Sequence, residues 1–425
     1  MNYESRDQIE EKYRWDLSSM YESDEAFEQA LVDIKTYPEQ LAAYRGKISQ
    51  SASELLAYLR LEDHVALEFE KAWNYAERRS DEDTRVSKYQ AYTARCMSLY
   101  TQLEEAGSWF NAELLSISED TIASFYADEP ALEHYRRKLE QVLRMRAHTL
   151  SAAEEALLAR AHDAASQPAN VYSMFEDADL TFDDATDEKG QKHKLTSGSY
   201  IPMLMGHDRV LRESAFKQLY GRYNQFRNTS AAMLTSQIKQ LKFFADSRKY
   251  ESSLAYNLDK NEVPVEVYDN LIEAVHNNLP AFYKYMDLRK QKLGLDELHY
   301  WDIYAPLVAD VDMKFTYEEA CDLIVKALEP MGEKYLDLVK KGLSERWVDV
   351  YETPGKRSGA YSAGGKGMNP VILMNFQGTL DDVFTLIHEM GHSIHTYLSS
   401  HTQEITYSNY VLFVAEVAST CNEAL

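Results

Sequence analysis

The chain has 425 residues, of which 45% are hydrophobic and 27% are charged, a composition typical of a soluble globular protein with two or three domains. Its formal net charge of −24 disfavours binding to nucleic acid or to anionic membranes, because such a surface repels phosphate groups. Three scattered cysteines, a charged N-terminus and the lack of a long apolar run predict a cytoplasmic protein without disulfides or membrane spans.

The first part of the chain is predicted to form long helices. Ser51 and Glu54 have the spacing of a capping box, and apolar residues then recur on one helical face as far as Trp73. A polar break over 78–84 separates this helix from a second one, so the two form an antiparallel hairpin. We assign residues 1–112 to this N-terminal helical hairpin region.

The helical pattern continues over residues 113–180 and then changes. Turn signals around Gly190, with short β-like flanks, predict a small β-hairpin at a domain junction. We therefore expect a second domain over 113–195 that ends in this hairpin. Helices resume in a third domain, residues 196–425.

A second β region is predicted before the last helices. Two probable strands, Trp347–Tyr351 and Val371–Phe376, flank a glycine-rich stretch that contains SGAYS. A small sheet beside an active-site helix often provides an edge on which an extended peptide can bind. The structural alternative is a hairpin with a flexible glycine loop.

A helix is predicted to start near Leu380. Thr379 has the character of an N-cap, and Asp382 lies three residues later, where an acidic side chain supports the first turn. The predicted helix has an apolar stripe made of Val383, Leu386, Ile387, Met390, Ile394 and Leu398.

The same helix contains the sequence HEMGH, which has the spacing of a zinc peptidase motif. His388 and His392 are four residues apart, so both imidazoles project from one face and can bind one zinc ion. Glu389 can accept a proton from a metal-bound water. The bare pattern also occurs by chance, but the helix and the preceding β region favour a zinc site.

A catalytic zinc needs a third protein ligand, and three glutamates lie downstream. Glu404 lies in a polar connection and is expected to be solvated. Glu416 lies in an apolar run that reads as a buried helix, where a carboxylate needs a partner, so burial favours Glu416 over Glu423. Glu423 could instead hydrogen-bond a ligand histidine, and His395 is expected to pack or to support the ligands rather than bind zinc.

Several segments together carry a resemblance to a known family. They are RWDLSSMY, ADLTF with DEKGQKHKLT, DRVLRESAFKQLYGRYNQFRNTSAAML, LGLDELHYWDIYAPL, GKRSGAYSAG, NPVILMNFQGTLDDVFTLIHEMGHSIHTYLSS and FVAEVASTCNEAL. With these segments the sequence resembles oligoendopeptidase F, of the zinc oligopeptidases that include thimet oligopeptidase. The resemblance implies a mainly α, two-lobed fold with a deep channel and a small antiparallel β-sheet next to the active-site helix.

The resemblance also implies roles for individual residues. It suggests His388, His392 and Glu416 as ligands of one Zn²⁺ per chain, with Glu389 as the general base. It suggests that Gly359, Ala360 and Tyr361 hold the substrate backbone. Residues 113–195 then correspond to an N-terminal oligopeptidase domain, and residues 196–425 to the catalytic domain.

The chain ends at Leu425, within the helix of the third ligand. Members of the family continue past that helix and supply a histidine and tyrosines that stabilise the tetrahedral intermediate. The sequence therefore predicts a C-terminally truncated chain whose metal ligands are all present. The catalytic site is expected to be incomplete, so this chain would cleave little or nothing.

The expected function is a zinc endopeptidase that hydrolyses internal bonds of short oligopeptides. One alternative is a helical zinc carboxypeptidase, which uses the same motif but releases only terminal residues. Another is a non-catalytic binding module with an incidental motif, which would hold no stoichiometric zinc. A non-catalytic fragment with an incomplete site would instead bind zinc weakly.

Overall fold

Two compact units make up the chain. The computed structural model describes residues 3–308 and 313–425. Unit 1 consists of Met1–Arg146 together with Met313–Leu425, and unit 2 consists of Ala147–Asp312. Because unit 1 is discontinuous in sequence, the two units do not follow the predicted domain boundaries at 112 and 195, which stay a prediction.

Helices form most of both units, which confirms the mainly helical fold. The first part of unit 1 contains α1 (Asp24–Ile34), α2 (Tyr37–Ala42), α3 (Ala52–Glu82), α4 (Ser87–Gly107), α5 (Phe110–Ser116), α6 (Glu119–Asp128) and α7 (Arg136–Arg144). Unit 2 contains α8 (Ala152–Ser173), β1 (Ala185–Thr186), β2 (Lys192–His193), α9 (Ser197–Leu204), α10 (Arg209–Gln225), α11 (Arg227–Ser247), α12 (Ser253–Asp259) and α13 (Val265–Lys292). The second part of unit 1 contains α14 (Tyr317–Ala327), α15 (Glu333–Ser344), β3 (Val348–Asp349), β4 (Tyr361–Ala363), β5 (Val371–Leu373), α16 (Leu380–Thr402) and α17 (Leu412–Ala424). Among the helices of the described ranges, none combines the length and the apolar content that a membrane span requires.

The predicted helical hairpin of unit 1 is formed by α3 and α4, which pack side by side. The side chain of Ser51 caps α3 by accepting a hydrogen bond from the backbone N–H of Glu54. The helix continues to Glu82, through most of the predicted polar break, because Arg78, Asp81 and Glu82 are buried there and paired. Glu82 itself accepts a hydrogen bond of 2.8 Å from the indole of Trp15.

Unit 2 contains the predicted β-hairpin. β1 and β2 pair in antiparallel, with Ala185 opposite His193. Gly190 in the turn has a φ of +80°, a conformation that glycine adopts without steric cost. Ala185 packs against Ala215 and Leu219 of α10 in a small apolar core.

The three-stranded sheet of unit 1 has the order β3–β5–β4. β4 pairs with β5 in antiparallel, whereas β3 runs parallel to β5. The predicted antiparallel sheet is therefore right for β4 and β5 but wrong for β3. The reason is that the chain reverses twice between β3 and β5, once on each side of β4, and so returns to its original direction.

Helix α16 packs against β4, β5 and α17 and carries the predicted motif. Its start is fixed by a capping box, in which Thr379 and Asp382 each accept a hydrogen bond from the other's backbone N–H. The exposed position of Leu398 makes the buried stripe one turn shorter than predicted. The buried members of the stripe are Val383, Leu386, Ile387, Met390 and Ile394.

Candidate metal centre

Three side chains on α16 and α17 converge on one point. The Nε2 atoms of His388 and His392 lie 3.2 Å apart, and each lies 3.5 Å from Oε2 of Glu416. These three separations put all three atoms about 2.0 Å from one common point, which is the bond length of zinc to imidazole nitrogen and to carboxylate oxygen. Two neutral imidazoles and one carboxylate are also a donor set that zinc prefers, so the site fits a zinc ion.

Hydrogen bonds orient the side chains that converge. Nδ1 of His388 is bonded to the carboxylate of Glu423, which leaves Nε2 directed at the cluster. Oγ of Ser419 donates to Oε2 of Glu416 over 2.9 Å. The imidazole of His392 interacts with the backbone carbonyl of Ala415. An acceptor at the second ring nitrogen fixes the tautomer and direction of a metal-binding histidine and makes it more basic, and a hydroxyl that donates to a carboxylate fixes its direction.

A close approach of the two helices brings Glu416 to the histidines. Gly391 lies between the two histidines in sequence and faces the backbone of α17. A Cβ atom at this position would lie 2.8 Å from the carbonyl oxygen of Ala418 and 2.8 Å from Cα of Ser419. Only glycine allows this contact, because side chains essentially never approach backbone atoms so closely.

Glu416 reaches the cluster for a different reason from the predicted one. Its side chain is 53% exposed rather than buried, and Leu412, Phe413 and Val417 of the same helix are exposed as well. The prediction that Glu416 is buried is therefore wrong. Only one side of α17 packs against α16, and the apolar residues on its other side are exposed. Glu404 lies away from the cluster and pairs with Lys366 over 3.6 Å.

Glu389 lies beside the cluster and is almost completely buried, with 8% of its surface exposed. Burial raises the pKa of its carboxyl, and the charge of Glu416 acts in the same direction. The imidazole of His388 and the backbone amide of Ser362 oppose this rise. A carboxyl whose pKa is raised above its ordinary value is better suited to accept a proton and release it again.

His395 does not belong to the group of side chains that could hold the metal. Its imidazole stacks on the ring of Tyr410 at a centroid distance of 3.7 Å, and burial lowers its pKa. The hydroxyl of Tyr410 bonds that of Thr396 over 2.7 Å. These contacts fasten the segment that precedes α17 onto α16, so His395 supports the position of the helix that carries Glu416.

The three residues predicted to hold a substrate lie at and just before β4. Gly359 has a φ of +82°, and its carbonyl accepts a hydrogen bond from the side chain of Asn375. Ala360 is half-buried, and Tyr361 begins the strand. The hydroxyl of Tyr361 donates to the buried carboxylate of Asp81, so this side chain is occupied, and its backbone pairs with Leu373 of β5.

Several residues of the site carry signals that the sequence analysis did not use. Gly391 interrupts a strong helix, and a helix-interior glycine, which costs about 1 kcal/mol relative to alanine, often marks a close backbone approach. Ser419 lies three residues after Glu416, a spacing at which helical side chains meet. Tyr410 carried no local signal, because its partners His395 and Thr396 are distant in sequence, on α16.

Comparisons with known proteins give a consistent result. The family model described as peptidase family M3 matches residues 203–425, and the one described as oligopeptidase F matches residues 113–182. Oligopeptidase PepF of Bacillus subtilis is 42% identical over 99% of this chain and 63% of its own length. Group B oligopeptidase PepB of Streptococcus agalactiae is 37% identical over 99% of this chain and 70% of its own length.

Solved structures are similar as well. A crystal structure from Chlamydophila abortus matches with a TM-score of 0.91 and 34% identity, covering 99% of this chain and 71% of that one. The crystal structure of oligoendopeptidase F from Enterococcus faecium matches with a TM-score of 0.64 and 34% identity, covering 94% of this chain and 66% of that one. The chain thus spans about two thirds of the length of the proteins it matches.

Proposed function

The chain belongs to peptidase family M3, and from this premise we propose that it is a zinc endopeptidase that hydrolyses internal bonds of short oligopeptides. The observation that carries the proposal is the triangle formed by His388, His392 and Glu416, with the buried carboxyl of Glu389 beside it. The names of the relatives, which are oligopeptidases and oligoendopeptidases, support the substrate class.

In this proposal the two histidines and Glu416 hold one zinc ion. When bound, zinc would act as a Lewis acid on the scissile carbonyl and on the attacking water. Glu423 keeps the Nε2 lone pair of His388 directed at the ion. Glu389 accepts a proton from the attacking water and passes it to the leaving amine, and its raised pKa favours the first of these transfers.

The peptide is proposed to bind along β4. This strand is at the edge of its sheet and packs against α16, which carries the metal ligands. An edge strand offers unpaired N–H and C=O groups to which an extended peptide can add. Gly359 and Ala360, which precede the strand, would contribute through their backbone, whereas the backbone groups of Tyr361 are directed at β5. Recognition would then depend little on the peptide's side chains at these positions.

The proposal also includes the cellular compartment. The three cysteines are free, with Cys96 buried, Cys321 half-buried and Cys421 exposed. Free thiols are typical of a reducing compartment, which supports action on peptides in the cytoplasm.

Peptide cleavage by the purified chain tests this function against the expectation from the sequence that the catalytic site is incomplete and that the chain cleaves little or nothing. Wild type loaded with zinc should cut unlabelled peptides of mixed sequence at internal bonds, as identified by mass spectrometry, and should stop when a chelator removes the metal. Glu389→Gln should keep its zinc and lose cleavage. Release of terminal residues alone would favour a carboxypeptidase, and cleavage that survives both the chelator and Glu389→Gln would refute the mechanism.

A further inference from the structure

One edge of strand β4 faces the helix that carries the proposed base. Ile372 of β5 donates its N–H to the carbonyl of Trp347, so the backbone groups of Ile372 are directed at β3. Ser362 of β4 is the residue opposite Ile372 in the antiparallel pair. In an antiparallel pair, the backbone N–H and C=O groups of successive residues point alternately towards the partner strand and away from it. Those of Ile372 point away from β4, so those of its partner Ser362 point away from β5, towards the free edge of the sheet.

Ser362 contacts α16 twice. Its hydroxyl lies 2.7 Å from the hydroxyl of Ser393, a side chain that is fully buried. Its backbone amide interacts with the carboxyl of Glu389. Glu389 and Ser393 are four residues apart on α16 and therefore lie on the same face of the helix. Ser362 thus contacts both the proposed base, Glu389, and Ser393, which lies one helical turn after it.

The preceding residue holds β4 from the opposite face. Side chains of successive strand residues project to opposite faces of a sheet. Tyr361 projects to the last turn of α3, where Asp81 accepts a hydrogen bond from its hydroxyl and the guanidinium of Arg78 lies 4.9 Å from its ring centre. Tyr361 therefore fixes one face of the strand, and Ser362 fixes the other.

We propose that the hydroxyl pair of Ser362 and Ser393, here called the serine clasp, sets the distance between β4 and Glu389, and that Ser362 is a positioning residue for the base. The proposal rests on the proposed function, because it assumes that β4 holds the peptide and that Glu389 takes the proton. Catalytic groups need positions held to within about 0.5 Å, and a hydrogen bond between a strand and a helix supplies such a constraint. Removal of one hydroxyl also leaves the other buried without its partner.

Four variants and one matched control test the serine clasp. The variants are Ser362→Ala, Ser393→Ala, their combination, and Ser362→Thr, which keeps a hydroxyl and suits a strand. The control is Ser400→Ala, because Ser400 is also buried on α16 but its hydroxyl bonds only within that helix region. Zinc affinity, peptide kinetics and hydrogen exchange of fragments that cover residues 359–364 are measured for each.

Loss of either hydroxyl should lower kcat about 3- to 10-fold, with a smaller change in KM, because the groups that bind the peptide remain. The combination should cost no more than one substitution, since both remove the same interaction. Exchange at residues 359–364 should accelerate by a similar factor, whereas zinc affinity should stay unchanged. Ser362→Thr should restore both kcat and slow exchange, and Ser400→Ala should resemble wild type.

Hydrogen exchange separates failure of the serine clasp from failure of the proposed function. If wild type does not cleave peptides, the function is refuted, while accelerated exchange in Ser393→Ala still supports the serine clasp. If exchange and kcat in Ser362→Ala and Ser393→Ala match those of Ser400→Ala, the serine clasp is refuted. Should Ser393→Ala fold poorly, comparison of Ser362→Ala with Ser362→Thr decides the question in the same way. These two variants are expected to fold because Ser362 is only half-buried.

Discussion

Substitution of Gly391 by alanine tests how closely α16 and α17 must approach for a metal to bind. The new Cβ would lie 2.8 Å from two backbone atoms of α17, whereas ordinary contact begins at 3.4 Å. Backbone atoms cannot rotate away, so the helices must separate by about 0.6 Å. Metal–ligand distances tolerate deviations of about 0.2 Å, so Glu416 would no longer fit the same ion as the histidines.

We expect Gly391→Ala to weaken zinc binding about 10- to 100-fold, the usual cost of disturbing the surroundings of a metal ligand. The stability of the metal-free chain should change less. Alanine gains about 1 kcal/mol in helix propensity, and overpacking costs about 1–3 kcal/mol, so the net loss is at most about 2 kcal/mol. Competition with a chromophoric chelator measures the affinity, and urea unfolding of the metal-free chain measures the stability.

Gly221→Ala is the matched control, because Gly221 also lies inside a helix but has no atom within 4 Å of the added Cβ. This variant should keep wild-type zinc affinity and gain up to about 1 kcal/mol in stability. Wild-type zinc affinity in Gly391→Ala would refute the reasoning. It would mean that Glu416 can reach the metal without the close contact between α17 and Gly391.

Three further predictions concern charges around the site and in the core. Glu423→Gln should weaken zinc binding about 10-fold or more, because the glutamine no longer supplies the charged acceptor for His388, and chelator competition should find Glu404→Gln unchanged. Asp349→Asn should cost about 3–5 kcal/mol in urea unfolding, because the buried Lys356 loses its charged partner and Arg6 keeps only Glu82, and the exposed Asp337→Asn should cost little. Burial raises the pKa of Asp349, but Lys356 and Arg6 outweigh it and hold the pKa below its ordinary value. Stability from Asp349 should therefore be full above about pH 4 and be lost as the pH falls through the lowered pKa, and the urea midpoint of Asp349→Asn should depend less on pH in that range.

The parts of the molecule that follow from local rules were predictable. The helix start at Thr379 and Asp382 needed only capping chemistry, and the convergence of His388 and His392 needed only the period of a helix. The resemblance to oligoendopeptidase F, drawn from motifs along the chain, is confirmed by the family matches.

The parts that depend on tertiary packing were less accessible. Glu416 was chosen for burial, yet its side chain is half-exposed, and the approach of α17 at Gly391 is what brings it to the histidines. The direction of β3 depended on two chain reversals that strand patterns do not record. The pairing of Ser362 with Ser393 joins residues 31 positions apart, and no periodicity links a strand residue to a residue of the following helix. The deep channel stays a prediction.

Zinc binding to two histidine variants tests the central claim most directly. Zinc titration of the metal-free chain should find one ion bound per chain for wild type and none bound tightly for His392→Ala. His401→Ala removes an exposed imidazole from the same helix and should bind zinc like wild type. Equal affinity in His392→Ala and His401→Ala, or no stoichiometric zinc in wild type, would contradict the assignment of His388, His392 and Glu416 as the metal site.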